Sequence, residues 1–243
     1  MPLARGEEAR ARLLDLAPGG FEEAASGGDL ELAAYVDAAG EARVREAFGL
    51  ATSAPVEPGW EDGWRRFHRP VRVGALWVGP PWEEPEPGAF AVVIDPGQAF
   101  GTGAHPTTRL CLELLLGVEP GSLIDLGCGS GVLAVAAAQL GFAPVTALDS
   151  DEAAVAAARV NAVANGVEVD VARADALADP LPAASVVVAN IALEAVEALG
   201  PRVEAATFLT SGYLAHDRPT LRGWEPAERR ELEGWAAERF ERA

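Results

Sequence analysis

Asp125-Leu126-Gly127-Cys128-Gly129-Ser130-Gly131 follows the short apolar run Leu123–Leu126 and leads into a helix-forming stretch, Val132–Leu140. Strand, glycine turn and helix in that order open a βαβ unit, and glycines at alternate positions let the backbone turn tightly and approach a ligand closely. A dinucleotide fingerprint, G-x-G-x-x-G, would place its third glycine one position later, where Val132 stands. G-x-G-x-G after a strand-end acid instead suits S-adenosylmethionine, which brings an ammonium and a carboxylate rather than a pyrophosphate. Asp125 could meet that ammonium directly or through water. A purely structural turn would carry the same glycines, so the loop alone leaves the choice open.

Outward from this turn, apolar runs of strand length (Leu123–Leu126, Val145–Leu148, Val167–Ala172, Val186–Ala189, Thr207–Thr210) alternate with helical stretches, including Asp151–Ala164. Near-continuous apolar strands with helical crossovers imply a parallel sheet covered on both faces, with its ligand site at the carboxyl ends of the strands. The second strand ends at Asp149, an acid placed to accept from two ribose hydroxyls. Ser150 lies beside it, and Asp151 reads as the N-cap of the next helix rather than as a ligand. Ala174-Asp175-Ala176 falls where an adenine edge would lie, and a solvated loop acid is the competing reading of Asp175. The fourth strand ends at Asn190 and continues into Ile191-Ala192-Leu193; the Asn190 amide could hold a substrate amine or cap the following helix.

Composition narrows the function class. The 243 residues are 49% hydrophobic and 23% charged, which suits a soluble domain with an appendage. Thirty-seven acids oppose nineteen bases, all arginine, for a net charge of −18, so a direct nucleic-acid footprint is not expected. Val132–Leu148 is too diluted by alanine, Gln139 and Gly141 to span a membrane, and no secretory signal is visible, so a cytoplasmic location is expected. Cys111 and Cys128 lie apart with no C-x-x-C pattern, which predicts reduced thiols and no metal site.

Three segments are expected. Residues 1–53 read as a small α+β domain with helical stretches near Glu7–Leu16 and Gly40–Phe48 and a strand in which Leu30, Leu32, Ala34 and Val36 alternate. Residues 54–90 read as a linker with an aromatic helix (Trp60, Trp64, Phe67), with Trp77 and Trp82 beyond it, and residues 91–243 hold the βαβ series. In the tail, Glu228–Arg242 has helix-forming composition, while Glu233-Gly234 can mark a turn between two strands, Trp224–Arg230 and Trp235–Phe240.

Upstream of the glycine turn stands Phe100-Gly101-Thr102-Gly103-Ala104-His105-Pro106-Thr107-Thr108. This run, then D-L-G-C-G-S-G, A-L-D-S-D, V-V-A-N-I and Ser211-Gly212-Tyr213-Leu214, resembles the ribosomal protein L11 methyltransferases, the PrmA family, across about Val92 to Leu214. The resemblance implies a class I methyltransferase domain with a seven-stranded α/β sheet closed by a C-terminal antiparallel hairpin, which places two strands between Trp224 and Phe240. It also implies a small ferredoxin-like N-terminal domain that captures the substrate protein. By the same resemblance Thr108, Gly127, Asp149 and Asn190 match cofactor-contacting positions, with Gly129 in the same turn, and Phe100, Thr102 and Gly103 match a loop over the methionine end. The implied activity is S-adenosylmethionine-dependent N-methylation of protein amino groups, with Asn190 as the catalytic residue orienting the amine.

Departures from the family pattern are also visible. Only Met1–Ala4 precede the first helical stretch, so an opening strand of the N-terminal domain is expected to be missing and docking of the ribosomal protein weakened. Ser185 stands where an acid commonly starts the fourth strand, and the last crossover helix, around Pro219–Gly223, would be very short. No general base is obvious; His105 is the one nearby candidate. A relative acting on another protein lysine or a small amine, or a non-catalytic cofactor-binding module, are the alternatives.

Overall fold

The structure is a computed structural model that describes residues 9, 12, 13, 16, 22–26, 29–34, 36, 38–49, 51–53, 69–95 and 103–243. The chain divides into two compact units, Met1–Glu61 and Asp62–Ala243. In the first, Ala9, Arg12, Leu13 and Leu16 are helical, and β1 (Glu22–Ser26) pairs antiparallel with β2 (Asp29–Ala33) ahead of α1 (Ala38–Phe48). The expectation of a missing opening strand falls on residues 1–4, outside the described residues.

The second unit runs β3 (Val71–Val73), β4 (Leu76–Gly79), β5 (Phe90–Val93), α2 (Pro106–Leu115), β6 (Leu123–Leu126), α3 (Val132–Gln139), β7 (Val145–Asp149), α4 (Glu152–Ala164), β8 (Asp170–Arg173), β9 (Val186–Asn190), α5 (Leu193–Leu199), β10 (Thr207–Leu214), β11 (Trp224–Leu232) and β12 (Trp235–Arg242). Seven strands form one sheet in the order β11-β12-β10-β9-β6-β7-β8. β8, β7, β6, β9 and β10 are parallel, and β12 runs antiparallel to both β10 and β11. After β6 the chain builds outward to β7 and β8 and then returns to place β9 on the other side of β6. The carboxyl ends of β6 and β9 therefore flank a topological switch point, where such sheets open a crevice.

Burial on both faces follows directly from the apolar runs. In β9, Val186 and Val188 pack in one core with Leu110, Leu114, Val132, Val135 and Leu209, while Val187 and Ala189 pack in the other with Val196, Leu199, Phe208 and Phe240. A strand with both faces covered has no polar side, which is why period-two alternation is absent from its sequence. Two boundaries differ clearly from the sequence reading: the third strand begins at Asp170 rather than Val167, and the fifth runs on to Leu214 rather than stopping at Thr210.

The tail is a hairpin despite its helix-forming composition. Glu233 and Gly234 both take positive φ (52° and 83°), the two-residue turn that matches strand twist. Trp224 and Phe240 are buried in the second core, and the Trp224 Nε1–H donates to the Gly200 carbonyl at 2.9 Å. These contacts exceed the few tenths of a kcal/mol per residue by which helix propensities differ. No helix forms over residues 215–223, where a very short one was expected.

The segment read as a linker through residue 90 differs in its second half. β3 pairs antiparallel with β4, and β4 pairs parallel with β5. Leu76, Val78, Val92 and Ile94 join the same core as Leu110 and Val132, so residues 71–94 are part of the second unit. Trp77, in β4, is buried. Trp60, Trp64 and Phe67 lie outside the described residues. Among the described residues, no helix is long and apolar enough to cross a membrane and no group of His, Cys, Asp or Glu could hold a metal ion.

Candidate active site

The glycine turn is shaped by positive φ at all three glycines: 72° at Gly127, 54° at Gly129 and 79° at Gly131. Two of them also have no room for a side chain. A Cβ at Gly127 would stand 2.6 Å from Ile191 Cγ2, and one at Gly131 would stand 2.9 Å from the Cβ of Ala158 in α4. The turn is tied to the neighbouring strand, since the Gly127 and Cys128 N–H groups both donate to the Leu148 carbonyl (2.8 and 3.1 Å).

Asp149, at the end of β7, organises the other side. Its Oδ2 accepts from Gly129 N–H and its Oδ1 from Asp151 N–H, each at 2.9 Å. A carboxylate oxygen has a second lone pair, so both oxygens keep acceptor capacity for a pair of hydroxyls. Asp151 caps α4 by accepting from Ala153 N–H at 2.9 Å, as its position suggested. Ser150 is exposed and its carbonyl accepts from Arg173 Nε.

Asp125 is 1% exposed at the end of β6. Its Oδ2 accepts from Ala134 N–H at 3.2 Å in the first turn of α3, while among the described residues Oδ1 has no hydrogen-bond partner. Burial pushes its pKa up to about 7, the Ala134 N–H opposing the rise and the nearby Asp149 adding to it. A buried acceptor of this kind fits a cationic group. The thiols of Cys111 and Cys128 are raised by burial above all, with the charge of Asp125 adding, so they stay protonated and are not nucleophiles.

Across the switch point, Asn190 ends β9 and its Nδ2 donates to Thr108 Oγ1 at 3.4 Å, a long hydrogen bond to the buried first turn of α2. The helix-cap reading of Asn190 does not hold, because the N-cap of α5 is Ala192. The end of β9 is held by Gly212, at φ 102°, where a Cβ would come within 2.1 Å of the Ile191 carbonyl oxygen. His105 is the N-cap of α2: Thr107 N–H donates to its Nδ1 at 3.3 Å. The same Nδ1 stands 2.7 Å from Thr107 Oγ1, so this nitrogen is engaged within the helix cap. Its ring also packs edge-on to Trp235, centroids 5.0 Å apart.

The remaining expected residues are less convergent. Asp175 is exposed and folded back on its own loop, accepting from Leu177 N–H at 2.9 Å, and the Ala176 carbonyl accepts from Arg202. Gly103 takes φ 88°, with Val78 where a Cβ would go. Phe100 and Thr102 lie outside the described residues. A cavity of about 620 Å³ lined by Pro144, Arg159, Val163 and Asp170 opens at the amino ends of β7 and β8, away from all of these residues.

The family profile described as Ribosomal protein L11 methyltransferase (PrmA) matches residues 29–239. The chain belongs to this family. A PrmA relative from Caldanaerobacter subterraneus subsp. tengcongensis is 43% identical over 169 residues, which is 65% of this chain and 55% of the relative. One from Symbiobacterium thermophilum is 44% identical over 199 residues, 74% of this chain and 65% of the relative. The chain thus spans between half and two thirds of the length of these relatives. Among solved structures, ribosomal protein L11 methylase from Lactobacillus delbrueckii subsp. bulgaricus superposes with a TM-score of 0.65 at 28% identity, covering 72% of this chain and 99% of that one.

In this PrmA-family domain the sequence reading missed two amides, the partly buried Asn165 at the C-cap of α4 and the buried Asn161 within it. Their signal was present: a polar residue set in a helix stripe of Ala154, Val155, Ala158 and Ala162 is buried, and a buried amide needs partners.

The raised pKa of Asp125 gives a checkable pH dependence. Its unfolded value is near 4 and its folded value about 7, so the folded state holds the extra proton between them and stability falls as pH rises through that window. Asp125→Asn keeps an oxygen for Ala134 N–H and removes the charge. Melting curves should show the variant more stable than the parent at pH 8, with the difference gone by pH 4. Lower stability than the parent at pH 8 would contradict the buried-charge assignment.

Proposed function

We propose that this protein is an S-adenosylmethionine-dependent N-methyltransferase acting on amino groups of ribosomal protein L11. The observation that carries the reading is the arrangement at the switch point, where two strand-end carboxylates, Asp125 and Asp149, flank the glycine turn and Asn190 faces Thr108 across it. The donor set suits the cofactor. Asp125 Oδ1 is a buried acceptor for an ammonium, Asp149 offers paired acceptors to ribose hydroxyls, and the turn has no side chain at Gly127 or Gly131 to hold a ligand off. Phe100, Thr102 and Gly103 complete the site in this reading, and Ser150, Asp175 and Ala176 border the nucleoside end.

Bound S-adenosylmethionine would supply an electrophilic methyl group. The protein's task is to present a neutral, desolvated amine in line with it. An amine of pKa about 10.4 costs roughly 4 to 5 kcal/mol to deprotonate at neutral pH, and burial in a water-poor crevice lowers that cost. With His105 committed to capping, the proton leaves through water, and Asn190 orients the amine by accepting from its N–H. Exposed acids along the carboxyl edge (Asp151, Glu152, Asp175, Asp179, Glu194) and the net charge of −18 favour approach of a basic protein segment.

Calorimetry should show binding of S-adenosylmethionine and S-adenosylhomocysteine but not of nicotinamide dinucleotides, and labelled methyl groups should pass to purified ribosomal protein L11. Binding of the dinucleotide alone would overturn the cofactor reading. Cofactor binding with label on another lysate component, and none on L11, would overturn the substrate.

A further inference from the structure

α4 packs on the glycine turn at two successive points of one face. Ala158 lies against Gly131, and three residues on, Asn161 is 2% exposed. The Asn161 Nδ2 donates to the Ser130 carbonyl inside the glycine turn at 2.9 Å, and its Oδ1 accepts from Asp95 N–H at 3.1 Å. One turn further, Asn165 pairs with Val93 like a neighbouring strand, accepting from its N–H at 2.7 Å and donating to its carbonyl at 2.6 Å. Both amides hold the end of β5 to α4, but only Asn161 also holds the glycine turn.

A buried amide in an apolar helix stripe is unfavourable unless both its ends are used, and here both are, by backbone groups of Ser130 and Asp95 that lie far apart in the chain. Fixing the Ser130 carbonyl fixes the Ser130–Gly131 peptide plane, and with it the Gly131 N–H that donates to Cys128 at 2.8 Å. Asp95 immediately precedes the stretch 96–102 that carries Phe100 and Thr102 in sequence. We propose that Asn161 is a positioning residue of the cofactor site, tying the glycine turn and the end of β5 to one spacing through α4. This rests on the S-adenosylmethionine reading above.

Asn165 supplies the control, since it anchors the same strand to the same helix without touching the turn. The parent, Asn161→Ala, Asn161→Leu and Asn165→Ala are to be compared by melting temperature, by calorimetry with S-adenosylhomocysteine, and by amide hydrogen exchange without ligand. Asn161→Leu fills the stripe with a side chain of similar volume, which keeps the test available if the alanine variant does not fold. Asn165→Ala should lower the melting temperature, speed exchange at the end of β5 only, and leave the dissociation constant within about twofold. The Asn161 variants should speed exchange at both the end of β5 and residues 129–131, and weaken binding tenfold or more. Parental affinity in a folded Asn161 variant, or an equal loss in Asn165→Ala, would overturn the proposal while leaving the cofactor reading intact. Absence of binding by the parent would overturn the cofactor reading and the proposal together.

Discussion

Asp149→Ala is expected to raise the dissociation constant for S-adenosylhomocysteine by about 30-fold to 1000-fold, equivalent to roughly 2 to 4 kcal/mol. Two losses combine. In the proposed reading the carboxylate is the charged acceptor for the ribose hydroxyls, and it also holds Gly129 N–H and Asp151 N–H at 2.9 Å, so the variant would lose a ligand contact and a brace of the glycine turn. Asp149→Asn separates the two. One amide position can still accept while the other turns a donor towards a backbone N–H, so part of the brace is lost with the charge and an intermediate affinity is expected. Calorimetry on variants first shown to melt cooperatively decides it, and a folded Asp149→Ala protein with parental affinity would remove Asp149 from the site.

The second large effect is on the chemical step. Asn190→Ala should lower kcat by about tenfold to a thousandfold while cofactor affinity changes only severalfold, because positioning of the amine is lost rather than a cofactor anchor. The competing structural role is weakened by the geometry: Ala192, not Asn190, is the N-cap of α5, and the end of β9 is fixed by backbone pairing with β10 and by close packing at Gly212. Removing the amide leaves those supports in place. Methyl-transfer kinetics at saturating cofactor, read beside melting temperature, provide the check. A drop in melting temperature with unchanged kcat would make the Asn190–Thr108 hydrogen bond a structural contact only.

The parts of the site legible in the sequence are those whose geometry is set within a few contiguous residues. An apolar strand, a turn of alternating glycines and a helix specify the Asp125–Gly131 crevice locally, because positive φ at Gly127, Gly129 and Gly131 is a property of the residue type. Asp149 and the Asp151 cap are legible for the same reason, one ending an apolar run and the other starting a helix. The order of the βαβ runs likewise implies the parallel sheet, since a parallel pair requires a crossover. The hairpin needed more than propensity: Glu228–Arg242 has the composition of a helix, and the Glu233-Gly234 turn signal and the family resemblance argued for strands.

What tertiary structure alone decided depends on groups far apart in the chain. Trp224 and Phe240 hold the tail in strands because the second core has space for them. Residues 71–94 join the second unit because their apolar face completes the first core, although their composition resembles a linker. His105 caps a helix because Pro106 and Thr107 begin one there, which engages its Nδ1. Asp125 is shifted towards neutral pH because strands and helices from elsewhere exclude water from it, and Asn161 acquires a role because α4 brings Ser130 and Asp95 within reach of one amide. Residue type and local order set the chemistry on offer, whereas desolvation and the pairing of distant backbone groups, which exist only once the chain has packed, decided which of those groups are poised and which are spent on structure.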